Sequence, residues 1–295
     1  MRVKVIINPA SGQPEPILSV LDDVFAEGGI EWDVAITHRA GDGARETRTA
    51  ADKGYDLIGV YGGDGTVTEV ASALAQGGPP MLVLPGGTGN ALAEDLGIPP
   101  TLAEATALVN GDASEVRRVD MGRSGDRWFV LRLTMGLQAS MVEAATRERK
   151  DRYGWLAYAF AGMQAITNAP MATYTIEADG TTARCEGIAA IVANSAATGV
   201  AGARIANDVS VSDGHLDLII LKNTDLPGLL GAAVAGAREQ PSSLLRHWRG
   251  REIRVQATPA QTVLADGEEA GSTPISVSIV TGAIGVLVPR QQPSA

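Results

Sequence analysis

Gly62-Gly63-Asp64-Gly65-Thr66 stands between the apolar run Asp56 to Val60 and the helical run Val67-Thr68-Glu69-Val70-Ala71-Ser72-Ala73-Leu74. A strand that ends in glycines and passes into a helix brings unpaired N–H groups and the positive end of a helix dipole to one point. Glycines without Cβ let an anion approach that backbone. Asp64 would repel a bare phosphate there, so its presence points to a divalent cation held between carboxylate and phosphate. Thr66 stands where it caps the helix, a role that needs no ligand.

Val3 to Ile7, Trp32 to Ile36 and Met81 to Leu84 also read as strands, and Ile17, Leu18, Leu21, Val24 and Phe25 recur at helical spacing. This alternation predicts βα units on a parallel sheet. The loops after the four strands begin Asn8-Pro9-Ala10-Ser11-Gly12, Thr37-His38, Gly62 to Thr66 and Pro85-Gly86-Gly87-Thr88-Gly89-Asn90. All of them fall at the carboxyl end of the sheet, where open α/β sheets bind ligands. Gly87-Thr88-Gly89 begins like a dinucleotide fingerprint, but Leu92 fills the third glycine position. No Gly-x-x-x-x-Gly-Lys-Ser/Thr loop occurs, and the lysines are Lys4, Lys53, Lys150 and Lys222. Phosphate is therefore expected on backbone amides, hydroxyls and Arg45.

From about Val116 the texture turns to strands: Val116 to Met121, Trp128 to Leu133, Thr173 to Glu177, Gly187 to Ala193, Leu216 to Leu221, Glu252 to Ala257, Thr262 to Ala265 and Ile275 to Val280. They predict a mainly antiparallel second domain, interrupted by helices near 140–168 and 226–246. Arg246-His247-Trp248-Arg249-Gly250-Arg251 reads as a loop before a strand. Arg147 to Arg152, followed by Tyr153 to Phe160, reads either as a solvated turn before a buried helix or as a membrane-facing lip.

The chain has 295 residues, 45% of them hydrophobic, enough for two cores. A net charge of −10 argues against nucleic acid, whose binding requires an excess of Lys and Arg. Cys185 is the sole cysteine, which excludes an internal disulfide and fits a reducing compartment. Tyr153 to Ile166 and Leu226 to Ala237 fall short of the roughly 18–20 residues that span a bilayer. The expected location is cytoplasmic, with peripheral contact at the inner face of the membrane.

Five stretches, in order, resemble the diacylglycerol kinase catalytic family. Asn8 to Gly12 resembles its Asn-Pro-x-Ser-Gly, Gly62 to Thr66 its Gly-Gly-Asp-Gly-Thr, and Leu84 to Pro99 its Leu-Pro-x-Gly-Thr-x-Asn followed by Leu-Gly-Ile-Pro. Val211-Ser212-Asp213-Gly214-His215-Leu216-Asp217 is similar to its Asp-Gly-x-Leu-Asp segment, and Ala265-Asp266-Gly267-Glu268 to its late Asp-Gly-Glu. Gly86 and Ala91 depart from many bacterial members, and Gly-Asn-Ala-Leu-Ala is closer to sphingosine-kinase-like sequences.

The resemblance implies an α/β nucleotide domain over residues 1–118, a β-sandwich lipid-substrate domain over 119–281, a last segment, 282–295, that returns to the first domain, and an active site in the cleft between them. It implies an ATP-dependent lipid kinase acting on the hydroxyl of diacylglycerol or a similar lipid. Asn8, Pro9, Ala10, Ser11, Gly12, Thr37, Gly62, Gly63, Asp64, Gly65, Thr66, Val67, Thr68 and Thr88 then line the nucleotide. Ser210, Asp213 and His215 hold Mg2+, the last through its carbonyl.

Phosphoryl transfer needs positioning, charge neutralisation and a group that takes the acceptor's proton. Asp266, Glu268 and Asp64 all remain candidates for that base. In an extended strand Asp266 and Glu268 face opposite ways, so both reach the cleft only if Gly267 bends the chain. A sphingoid-base kinase, an NAD kinase and a non-catalytic nucleotide-binding regulator are the competing readings, and a homodimer stays open.

Overall fold

The computed structural model describes residues 1–11, 15–75, 77–111, 113–136, 170–198, 204, 206, 208–222 and 245–290. The helix expected near 140–168, most of that expected at 226–246, and the basic and aromatic run at 147–160 lie outside the described residues.

The first half alternates as the hydrophobic pattern requires. β1 (Arg2–Ile7), α1 (Ile17–Glu27), β2 (Glu31–Ile36), α2 (Asp42–Asp52), β3 (Leu57–Gly62), α3 (Asp64–Leu74), β4 (Met81–Pro85), α4 (Ala91–Leu96) and α5 (Leu102–Ala107) follow one another. β1 pairs in parallel with β2 and β3, and β3 with β4. Every residue of β3 and β4 is buried, the signature of a parallel sheet covered on both faces. Val5, Ile6, Val60 and Val83 pack with Leu21, Phe25, Val70 and Leu74 of the helices in one core.

The second half is built of β5 (Ser114–Ser124), β6 (Arg127–Phe129), β7 (Arg132–Met135), β8 (Ala172–Ala178), β9 (Thr181–Gly187), β10 (Ala189–Ala193), β11 (Leu216–Leu221), β12 (Leu245–Gly250), β13 (Glu252–Thr258), β14 (Thr262–Ala265), β15 (Glu268–Ser272) and β16 (Ile275–Pro289). β16 joins the two halves. Its Val286 pairs in parallel with Met81 of β4, while the rest of the strand runs antiparallel to β5 and β13. A ten-stranded sheet thus continues from the parallel strands into antiparallel ones. A six-stranded antiparallel sheet, ordered β12-β11-β10-β7-β14-β15, faces it. Along β13 burial alternates through Ile253, Val255 and Ala257, and these meet Leu133, Val192, Leu218 and Ile220 in a second core.

Three sequence expectations are corrected. Residues 246–250 are not a loop but part of β12, paired with β11 from Leu216↔Gly250 to Leu221↔Leu245. β12 lies at the edge of its sheet, where a strand carrying Arg246, His247 and Arg249 keeps its polar side chains in water, so it lacks the apolar alternation that marks inner strands. The strand expected over Trp128 to Leu133 is broken between Phe129 and Arg132, and the one over Gly187 to Ala193 is broken at Ile188.

Asp120 fastens β5 to β16 and to the turn before β11. Its side chain is buried; Oδ1 accepts from Gly282 N–H and Oδ2 from Gly214 N–H, both at 2.7 Å. Gly282 sits where the β5–β16 register shifts between Val280 and Ile284, and its φ of 57° is one that glycine adopts without strain. Asp120→Ala would leave both donors without a partner, and we expect it to cost about 2–3 kcal/mol in urea unfolding.

Candidate active site

The two glycine loops touch. A Cβ built on Gly87 would lie 2.5 Å from Gly63 Cα, so only glycine permits this approach. Asp64 Oδ1 accepts from Ala91 N–H at 2.8 Å, which ties the first residue of α3 to the first of α4. Burial pushes the Asp64 carboxyl up, against the pull of that N–H and of Arg132. Asn8 adds the third loop: its Nδ2 donates to Thr66 Oγ1 at 2.9 Å, and its Oδ1 accepts from Ala10 N–H at 3.0 Å. Thr66 is therefore not the helix cap. α3 begins two residues earlier, its N-cap is Gly63 with no side-chain cap bond, and the Thr66 hydroxyl is taken by Asn8. Gly86 has a local reason too, since a Cβ there would meet the Tyr61 ring at 2.8 Å.

Asp266 anchors the opposite wall. Oδ1 accepts from Leu131 and Arg132 N–H at 3.0 and 2.7 Å, and Oδ2 from Val130 N–H at 2.8 Å and Thr68 Oγ1 at 3.0 Å. This grip turns three consecutive N–H groups toward one carboxylate and so interrupts the strand between Phe129 and Arg132. With φ of 46° at Asp266 and 92° at Gly267, the pair forms the turn of the β14–β15 hairpin, and Ala265 pairs with Glu268. Gly267 does bend the chain. Burial pushes the Asp266 carboxyl up, opposed by these donors.

Sequence reasoning missed Arg132. It is half-buried on β7, donates to Ala197 O at 2.6 Å, and lies in the field of Asp266, Asp64 and Asp95. Burial lowers its pKa while those acids raise it. An arginine at the start of a strand gives no local signal of such a setting. Arg45, expected at the phosphate, is instead held by Asp42 at 2.6 Å and Glu46 at 3.2 Å.

Two cavities of about 500 Å³ meet at Glu268. One is lined by Asn8, Ser11, Thr37, Arg39, Gly63 and Thr66. The other is lined by Arg48, Thr68, Ser72, Arg127, Trp128 and Asp266. Gly65, Glu69 and Glu268 border both. Glu69 accepts from Gly41 N–H at 2.9 Å and Gly43 N–H at 3.0 Å, holding the start of α2. Glu268 is exposed and reaches Arg127 Nη1 at 3.5 Å. Of the remaining expected nucleotide residues, Pro9 and Ala10 line the first cavity, Gly62 ends β3, Val67 is buried in the core, and Thr88 is exposed on the second glycine loop. Gly12 lies outside the described residues.

At the expected cation site, Asp213 Oδ1 accepts from His215 N–H at 3.0 Å and Oδ2 from Arg249 Nη2. His215 Nδ1 lies 2.8 Å from the Asp213 carbonyl, so the ring folds back onto its own turn. A carboxylate with the carbonyls of Ser210 and His215 is the all-oxygen donor set that Mg2+ takes. The donor chemistry suits such an ion, and both Asp213 carboxylate oxygens are engaged, one by His215 N–H and the other by Arg249.

Fold and site together define a class: a glycine-loop α/β half set against an antiparallel β-sandwich, with acids at the cleft. Residues 2–124 match the diacylglycerol kinase catalytic domain, and residues 132–288 the YegS C-terminal NAD kinase beta sandwich-like domain. A diacylglycerol kinase of Bacillus subtilis is 28% identical over 99% of this chain and 97% of its own. A Pseudomonas aeruginosa protein assigned as a YegS-like lipid kinase is 30% identical over 90% and 88%. An uncharacterized Synechocystis sp. protein is 34% identical over 80% of this chain, which spans 56% of that protein's length. The crystal structure of a proposed diacylglycerol kinase from Bacillus anthracis superposes with a TM-score of 0.84 at 25% identity, covering 98% of this chain and 97% of that one. The chain belongs to the diacylglycerol kinase catalytic-domain family and is a lipid kinase-type transferase.

Two outcomes test this geometry. Gly87→Ala must push the glycine loops apart, and we expect a loss of about 1–3 kcal/mol in thermal or chemical unfolding. Asp42, which borders the first cavity's loop, accepts from the N–H groups of His38 and Arg39 and from Arg45; the backbone N–H of His38, foremost, with Arg45 holds its carboxyl down to about 2. A lowered folded value stabilises above the ordinary 3.8 and is lost as the pH falls toward about 2. Asp42→Asn should therefore lower Tm at neutral pH, and the gap to the wild type should close over that acidic window.

Proposed function

We propose that the protein transfers the γ-phosphoryl group of ATP to the hydroxyl of diacylglycerol or a closely similar lipid alcohol, with Glu268 as the base. The observation that carries this reading is that Glu268 borders both cavities while Asp64, Asp266 and Glu69 are spent on holding the fold. Asp64 is bound to Ala91 N–H, Asp266 to three N–H groups and Thr68, and Glu69 to Gly41 and Gly43.

In this reading the cavity at Asn8, Ser11, Thr37 and Gly63 takes the triphosphate on backbone N–H groups, with Arg39 at its edge. The cavity at Arg48, Arg127 and Trp128 takes the acceptor, whose hydroxyl gives its proton to the Glu268 carboxylate as it attacks. Arg132, beside Asp64, adds positive charge at the meeting point of the loops. Ser210, Asp213 and His215 would hold Mg2+, which supplies charge to the 210–215 turn. Two relatives' names support the acceptor: one is a diacylglycerol kinase, the other assigned as a lipid kinase. Among the described residues no helix is long and apolar enough to cross a membrane, and peripheral contact with the inner face of a membrane suits a lipid acceptor.

Labelled phosphate transfer from ATP to diacylglycerol, sphingosine and NAD in mixed micelles tests the reading. Label is expected on diacylglycerol, and Glu268→Ala should lower kcat about 100- to 10,000-fold with ATP affinity retained. Label on NAD alone would shift the protein to a nucleotide kinase, and a Glu268→Ala enzyme with the wild-type rate would remove Glu268 from the base role.

A further inference from the structure

Away from the cleft, one cluster combines a histidine with two carboxylates. Asp217 lies on β11 and His247 on β12; the register places Asp217 opposite Arg249 and Ile219 opposite His247, so the two residues are diagonal neighbours. His247 Nε2 is 2.6 Å from Asp217 Oδ1. Asp208, on the segment leading to β11, brings Oδ2 to 3.9 Å from His247 Nδ1. One ligand atom from each residue lies within 4.8 Å of the others. The second observation is on Asp217 itself: its side chain is only 1% exposed, and its Oδ2 is buried with no hydrogen-bond partner among the described residues. A buried carboxylate oxygen without a donor is unfavourable unless positive charge sits against it.

We propose that Asp208, Asp217 and His247 bind a first-row divalent cation, zinc fitting best, with water completing its shell. The ligand chemistry makes the choice. An imidazole nitrogen beside carboxylates suits zinc, whereas Mg2+ takes oxygen. Zinc bonds of about 2.0–2.2 Å place tetrahedral ligands roughly 3.3–3.5 Å apart, so on binding the 2.6 Å contact between His247 and Asp217 opens and the exposed Asp208 side chain moves in. Arg249 stands nearby, its Nε 4.0 Å from Asp217 Oδ1 and its Nη2 on Asp213. Asp213 and Asp217 face this one guanidinium while Asp208 faces His247, so the carboxylates outnumber the arginine and the cluster remains attractive to a cation. The ligand set is separate from Ser210, Asp213 and His215.

Equilibrium dialysis of the chelator-stripped full chain against Zn2+, read by metal analysis, tests this independently of kinase activity, with Co2+ absorption reporting nitrogen and oxygen ligation. The wild type and Asp213→Asn should each retain one Zn2+ in the presence of excess Mg2+. His247→Ala and Asp208→Asn, both at exposed positions, should each weaken binding at least about tenfold. Zinc retained unchanged by His247→Ala, lost from Asp213→Asn alone, or absent from the wild type overturns the assignment.

Discussion

The Asp266 carboxylate holds the rest of the active cleft in place. It is an acceptor-only group, and four donors from two parts of the fold converge on it: Val130, Leu131 and Arg132 N–H from the sandwich and Thr68 Oγ1 from α3. Because those N–H groups turn toward it, the strand they belong to breaks. Because Asp266 itself occupies a left-handed turn, the chain reverses and Glu268 emerges at the junction of the two cavities. Arg132, whose backbone is gripped by the same carboxylate, is thereby held in the field of Asp64 and Asp266.

Acids do much of the architectural work in this strongly acidic chain. Asp64 joins the glycine loops, Glu69 holds the start of α2, Asp95 accepts from Ser195, Ala196, Ala197 and Arg204, and Asp120 secures the bulge of β16. Each binds backbone N–H groups that ladders leave unpaired, which is how a buried carboxylate offsets its desolvation.

The parallel half was legible because its signals are local. Apolar runs of strand length, helical spacing at Leu21 and Phe25, and glycine loops at strand ends give βα units without any long-range information. Edge strand β12 was not, since an exposed strand needs no apolar face, and the break between β6 and β7 was not, since its cause lies 134 to 136 residues away. Arg132 escaped for the same reason.

The order of the α/β and β-rich halves, the glycine loops at the strand ends and the place of Asp64 beside them were legible in the amino-acid sequence, because these depend on neighbours in the chain. What each acid does follows from the folded chain. Asp64, Asp266 and Glu268 are equivalent as letters; hydrogen-bond partners brought from distant segments engage the first two and leave the third at the cleft, and only folding creates those partners.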